Sequence, residues 1–309
     1  MRVLVTGSSG HLGRALVRTL LAGGSDVVGL DVVPAPTTTV LGSIIDARCV
    51  RRSVDGADAI IHTATLHRPH VRLRSRADFV ETNVRGTLTL LEAAVDADVG
   101  SFVFTSTTSA FGRALTPPPG APAAWISEKS PSLPRDIYGT TKASAEALCE
   151  VVYRDHGMPC VILRTSRFFV EPTDLDERLD DLDDANVKIN ELLHRRVDIA
   201  DAVAAHLLAV KRAPALGFAL YVVSATTPFS RDDVADLRAD APSVVCRLFP
   251  EYESTYAALG WRMSASIDRV YVNARARREL GWSPRHNFAG ALDSLAGGAA
   301  RISVVVSGP

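Results

Sequence analysis

Cysteine is sparse and scattered: Cys49, Cys149, Cys160 and Cys246 are the only four, and none stands at a CxxC or Cys/His ligand spacing. That excludes a disulfide-built framework and a zinc module, and it reads as reduced, structural thiols. Lysine is equally rare. Lys129, Lys142, Lys188 and Lys211 are the whole set, and every other permanent cation is arginine. A lysine in a chemically sensible place therefore carries more information than usual. An excess of one charge sign is also missing. A net charge of −1 gives no electrostatic case for nucleic acid or an anionic membrane as partner. No apolar run approaches the ~20 residues of a membrane helix. The opening MRVLVTG has no basic segment followed by an apolar one, so it does not read as a signal peptide, and a cytoplasmic location is expected. No internal repeat and no long polar linker is visible. The 309 residues, 47% of them hydrophobic, are enough for a sizeable core in one large domain or two lobes.

What is present is an alternation of elements. Arg2–Thr6 (RVLVT) is an apolar run, as expected of a parallel strand buried on both faces. His11–Ala22 carries Leu12, Ala15, Leu16 and Leu20 at helical spacing. Further strands are expected at Asp26–Leu30, Ala59–His62, Ser101–Thr105 and Cys160–Leu163, with helices at Phe79–Val95 and Tyr138–Tyr153. This order predicts an α/β fold with a doubly wound parallel sheet of the Rossmann type. Residues 1–164 would form that domain. Residues 165–309 would form a smaller α/β substrate lobe, with a helix at Ile199–Val210, a strand at Leu220–Val223 and a terminal helix at Asn273–Gly281. One strand and one helix of it are expected to return to the first sheet. The proline-rich segment Gly112–Arg135 cannot be a regular helix or central strand. It is either a surface excursion or a wall of the active site, since it ends just before Tyr138. Asp174–Asp184 is strongly acidic and is expected to be solvated.

Gly7-Ser8-Ser9-Gly10-His11-Leu12-Gly13 reads GxxGxxG between the first strand and the first helix. Glycines there permit a tight turn and close backbone approach, so that a helix N-terminus can face a pyrophosphate. Asp31 ends the second strand, near the offset at which an acid meets the adenosine ribose. A carboxylate there bonds a free 2′-hydroxyl and repels a 2′-phosphate. Val32, Val33 and Pro34 supply no cation, so NAD is expected rather than NADP.

Tyr138-Gly139-Thr140-Thr141-Lys142 is YxxxK at a helix start. The i, i+4 spacing puts both side chains on one face. An ammonium beside a phenol favours its ionised form, and such a tyrosine can remove or return the proton of a secondary alcohol. Ser106-Thr107-Thr108-Ser109 follows the SFVFT strand at its C-terminal end, where open α/β sheets bind ligands. A hydroxyl there can hold the substrate oxygen beside the tyrosine. Trp125 and Trp261 read as packing residues.

Taken in order, VTGSSGHLG (5–13), Asp31, Asp46, HTAT (62–65), NVRGT (83–87), FTSTTSAFG (104–112), YGTTK (138–142) and ARRELGW (276–282) resemble the extended short-chain dehydrogenase/reductase family, which holds NAD-dependent sugar epimerases and dehydratases. The likeness runs from Met1 to about Leu163 and resumes near the C-terminus. It implies that Ser9, Gly10, His11 and Leu12 meet the cofactor phosphates and that Ile45 and Asp46 sit near adenine. It implies that Thr63, Ala64, Thr65 and Thr105 line the cofactor groove and that Asn83 supports it. It makes Thr107 the active-site hydroxyl beside Tyr138 and Lys142, with Thr108 next to it. It also implies a homodimer through the helices at Phe79–Val95 and Tyr138–Tyr153. The substrate half departs from the pattern: Arg167 stands where nucleotide-sugar enzymes carry an Asn after LRxx. Holding a UDP-sugar in the usual manner is therefore not expected. Arg164 and Arg167 could grip a carboxylate or phosphate, or could pair with the acidic stretch. His67 and His70 have an HxxH spacing but no third ligand, so they are read as pocket residues and no metal is expected. The leading reading is an epimerase/dehydratase-type enzyme oxidising a secondary alcohol of a sugar or sugar derivative. An NAD-dependent dehydrogenase of a smaller polyol or hydroxy acid uses the same residues, and a non-catalytic dinucleotide-binding protein would have no need of the Tyr138/Lys142 pair.

Overall fold

The computed structural model describes residues 1–168 and 184–296. Its elements in chain order are β1 (Arg2–Thr6), α1 (His11–Ala22), β2 (Asp26–Asp31), β3 (Val40–Leu41), α2 (Ala47–Val54), β4 (Ala59–His62), α3 (Arg76–Phe79), α4 (Gly86–Asp96), β5 (Ser101–Thr107), β6 (Ala124–Ile126) and α5 (Ile137–His156). They continue with β7 (Cys160–Thr165), α6 (Asp184–Leu192), α7 (Ile199–Leu216), β8 (Phe218–Val223), α8 (Val234–Ala239), α9 (Ala241–Leu248), α10 (Tyr252–Leu259), β9 (Arg269–Tyr271) and α11 (Phe288–Ala296). Seven strands form one parallel sheet in the order β3-β2-β1-β4-β5-β7-β8. The order reverses beside β1, and a crevice is expected at the strand ends there.

The apolar strands β1, β4 and β5 lie in the middle of the sheet because both of their faces are covered. On one face Leu12, Leu16 and Leu20 of α1 pack with Val203, Ala205 and Ala209 of α7. On the other, Val50 and Val54 of α2, Leu90 and Leu91 of α4 and Ala145 and Cys149 of α5 cover Leu4, Ile60, Phe102 and Ile162. Trp282 is buried against the first face and donates its indole N–H to the Asp201 carbonyl at 2.9 Å. The C-terminal segment is thereby tied to the sheet. A separate apolar cluster joins Leu192, Leu237, Val244, Tyr256 and Phe288 in the smaller lobe.

The periodic segments fall where hydrophobic spacing puts them, and the differences have physical reasons. β5 runs two residues past Thr105, because Ser106 and Thr107 stay in register with Arg164 and Thr165 of β7. The helix expected at Phe79–Val95 begins at Arg76, capped by Ser75, and contains a wider π turn over Val80–Arg85 that buries Asn83. π turns inside helices often mark functional sites. The segment expected to end the chain in a helix is a short turn over Ala276–Leu280, closed by Gly281 at φ +71°, and α11 follows it. Helices α8 to α10 and strand β9 lie where the sequence reading expects no element. Apart from Asp184, which begins α6, the acidic stretch lies outside the described residues.

The proline-rich excursion is pinned at both ends. β6 within it pairs in parallel with β9 of the smaller lobe. Gly112 has φ +51°, and a Cβ there would stand 1.9 Å from the Leu133 carbonyl oxygen. Arg113 N–H donates to that same carbonyl at 2.7 Å. Gly112→Ala is expected to destabilise the fold by more than about 1 kcal/mol, since both the left-handed conformation and the close approach exclude a side chain. The midpoint of urea unfolding measures this, and an unchanged midpoint would show that the segment rearranges freely.

Candidate active site

The crevice at the strand ends is a cleft of about 670 Å³. Gly7, Ser9, Gly10, His11, Leu12 and Gly13 line one side of it. Gly7 has φ +72°, and a Cβ there would lie 2.7 Å from the Ala64 nitrogen; at Gly13 it would lie 1.9 Å from the Gly7 carbonyl oxygen. Only glycine allows the turn and the helix to pack this closely. No side chain caps the N-terminus of α1, and its first turn has no acid. The first amides of α1 are left for a ligand, and the helix dipole favours an anion there. Asp31 accepts from Ser9 N–H at 3.0 Å and from Val33 N–H at 2.9 Å, which fixes its carboxylate at the cleft edge. These features fit the diphosphate and adenosine ribose of a dinucleotide.

Thr63, Ala64, Thr65 and Thr105 form the opposite side. Behind them runs a buried hydrogen-bond chain with His62 at its centre. Thr87 donates to the Asn83 carbonyl at 2.7 Å, so His62 Nε2–H donates to Thr87 and Nδ1 accepts from Thr6. Burial holds His62 well below the ordinary histidine range, and the nearby Lys142 charge acts the same way. The ring is neutral and structural. Asn83 is buried behind the cleft. Its Oδ1 accepts from Leu66 N–H at 2.7 Å, and its amide donates to the Leu66 carbonyl at 2.9 Å and to Thr141 at 3.0 Å. It ties the loop after β4 to the helix bearing Tyr138. Thr105 bonds His206 Nε2 at 2.8 Å. Because the other ring nitrogen faces the Ala202 carbonyl, Thr105 is the donor, and burial drops His206 to a pKa of about 4.

Asp136 starts α5 by accepting from Gly139 N–H at 2.8 Å. This puts Tyr138 in the first turn, half-buried and lining the cleft. A Cβ at Gly139 would come 2.7 Å from the Ser109 carbonyl, so the helix start sits directly against the end of β5. Thr107 and Thr108 line the same cleft. The Thr107 hydroxyl accepts from Ser109 N–H at 3.1 Å, so its own proton can point elsewhere. Lys142 lies one turn further in, only 2% exposed, with Nζ 3.9 Å from the Phe104 ring centroid. Burial lowers its pKa to about 7, against the opposing pull of the Glu146 carboxylate.

The other expected residues stand as follows. Ile44 lines the cleft, whereas Ile45 and Asp46 do not; Asp46 caps α2, accepting from Arg48 and Cys49 N–H. Arg164 does not line the cleft. It is 5% exposed and forks onto Glu146, with Nε at 2.9 Å and Nη2 at 2.6 Å, above the Phe111 ring. An arginine inside an otherwise apolar strand has to be paired, and that clue pointed inward. Arg167 lines the cleft and pairs with Glu191 at 2.9 Å, which Arg195 and Arg196 also share. The acidic stretch considered as its partner lies outside the described residues. His67 and His70 both line the cleft and stack edge-on, 4.4 Å apart, with His67 N–H donating to His70 Nδ1. Glu146 escaped the sequence reading, although it lies at i+4 from Lys142 and i+8 from Tyr138 on one helical face.

Glu146 also accepts from Ser106 at 2.5 Å. One carboxylate thus joins α5, β5 and β7 beneath the cleft. Glu146→Gln leaves the Arg164 charge buried without its counter-ion and is expected to cost about 3–5 kcal/mol of stability. Glu146→Met with Arg164→Met removes both charges and should recover most of that loss. Guanidinium unfolding of the three proteins tests it; a double variant as unstable as the single would mean that the charge pair itself is not the cause.

The NAD dependent epimerase/dehydratase family model matches residues 3–180. A dTDP-glucose 4,6-dehydratase of Streptomyces niveus is 35% identical over 60% of this chain and 59% of its own. A UDP-glucose 4-epimerase of Halalkalibacterium halodurans is 30% identical over 53% of this chain and 50% of its own. The alignments thus span only half to three-fifths of those relatives. Among solved structures, a short-chain dehydrogenase/reductase superfamily protein from Agrobacterium tumefaciens with bound NAD superposes with a TM-score of 0.68, at 24% identity, over 97% of each chain. With a family model covering more than half of its length, and a glycine turn and cleft built to match, the chain belongs to the NAD dependent epimerase/dehydratase family.

Proposed function

We propose that this protein oxidises a secondary alcohol of a sugar or sugar derivative, with Tyr138 as the group that takes the proton. The observation that carries the proposal is the convergence of three features on one cleft: the glycine turn with Asp31, Thr107 at the end of β5, and Tyr138 in the first turn of α5. NAD, when bound, supplies the hydride acceptor. Thr107 holds the substrate oxygen. Tyr138 removes its proton, and Lys142 on the same helical face favours the phenolate. Asp31 sets the cofactor preference by bonding a free 2′-hydroxyl. The exposed positions Thr140, Ser144, Ala147 and Val151 of α5 are small or apolar and suit a homodimer contact beside Val80. Among the described residues no helix is long and apolar enough to cross a membrane, and a cytoplasmic location is part of the same proposal.

Two measurements test this reading. Incubation with NAD and a panel of hexoses, polyols, dTDP-glucose and UDP-glucose should convert at least one sugar or sugar derivative, followed by mass spectrometry and by NADH absorbance. Product without free NADH indicates an internal hydride return, and free NADH indicates a dehydrogenase. Conversion of none would contradict the proposal. Calorimetry should show NAD binding more tightly than NADP, and Asp31→Asn with Val32→Arg should shift the ratio toward NADP by at least about tenfold. A wild-type preference for NADP would remove Asp31 from its role.

A further inference from the structure

His11 is the first residue of α1, directly after Gly10. It is half-buried and lines the cleft at the helix start, where the first amides wait for an anion. Backbone amides serve a phosphate whatever the side chain, and they do so equally at every ordinary pH. An imidazole at this position adds a group whose charge can change.

The ring makes no hydrogen bond among the described residues. The charges that act on it are Arg14, three residues on in the same helix, and Asp198, which caps α7. Helices α1 and α7 pack together on one face of the sheet. Asp198 is held in place, accepting from Ala200 N–H at 2.7 Å and lying 3.5 Å from His286 Nδ1. Burial and the Arg14 charge bring His11 below the ordinary histidine value, and Asp198 opposes them. The positive end of the helix works in the same direction as burial. The chain by itself therefore keeps the ring neutral near pH 7. A diphosphate seated on the same amides reverses the balance, because it sets two negative charges beside the ring and favours the imidazolium.

We infer that the His11 side chain is a ligand for the diphosphate of the dinucleotide and binds it as the imidazolium, so that NAD enters together with a proton. This goes beyond the reading of Tyr138 as the proton-transfer group and does not depend on it. The sign follows from linkage. The gain in NAD affinity is fully present below the pKa of His11 in the free chain. It is lost as pH rises through the higher pKa in the complex. Lys142, at about 7, titrates in the same window, so the difference between wild type and a His11 variant isolates the part due to His11.

The test is calorimetry of NAD binding to the full chain, at about pH 6 and about pH 8, in buffers of different ionisation enthalpy. It reads both the affinity and the protons taken up. Wild type should take up several tenths of a proton more than His11→Phe at the lower pH, and no more than it at the higher. The ratio of the two affinities should favour wild type about threefold or more at the lower pH relative to the higher. His11→Gln keeps hydrogen-bonding capacity without the charge and should behave as His11→Phe does. Circular dichroism checks the fold of both, and the glutamine variant carries the comparison if phenylalanine is not accommodated. Equal proton uptake in wild type and variants would overturn the inference. So would an affinity ratio that is the same at both pH values, since His11 would then act by packing alone.

Discussion

Much of the catalytic geometry depends on one buried carboxylate. Glu146 lies under the cleft and is satisfied by the Arg164 fork from β7 and the Ser106 hydroxyl from β5. Ser106 adjoins Thr107, and Glu146 lies two turns below Tyr138 on α5. A shift of that helix against the sheet would strain charge-assisted bonds in a dry environment, where unpaired groups are costly. The same carboxylate opposes the burial that drives Lys142 toward neutrality. The interaction therefore links packing to electrostatics: it sets where the tyrosine stands and helps its lysine neighbour to stay charged.

The second constraint is close approach. Glycine at 7, 13 and 139 lets backbone meet backbone at distances that a Cβ would forbid. Asn83, His62 and Thr6 then fill the space between β1, β4 and α5 with fully directed hydrogen bonds. The cofactor side of the cleft is closely packed for that reason. On another part of the cleft lining, Arg167 and Arg195 pair with Glu191.

The parallel strands and the first helices were legible because a strand buried on both faces must be apolar throughout, and a helix on a sheet must repeat every three to four residues. The glycine turn, Asp31, Thr107 and Tyr138 can be expected together because the chemistry they suggest demands both residue type and spacing, and all of them line the cleft, whereas Lys142 is buried outside its lining. The smaller lobe was less so. Helices α8 to α10 are six to eight residues long, too short for a repeat of three to four residues to mark each one off from its neighbours. The role of Arg164 was misassigned because pairing depends on what faces a strand in three dimensions, and Glu146, 18 positions earlier in the chain, gives no local sign of that contact. Asp46, which the resemblance puts beside adenine, caps α2 through Oδ1, accepting from Arg48 and Cys49 N–H.

Tyr138 is the group proposed to move the proton. The most direct measurement is the kcat of Tyr138→Phe on a turned-over substrate, with NAD affinity measured in parallel. The ring and its packing survive, and the glycine turn that meets the phosphates is untouched. A fall of roughly 10²–10⁴ in kcat with NAD binding intact is the predicted result. Retention of more than about a tenth of the wild-type kcat would contradict it, because a lost positioned acid–base group should cost far more.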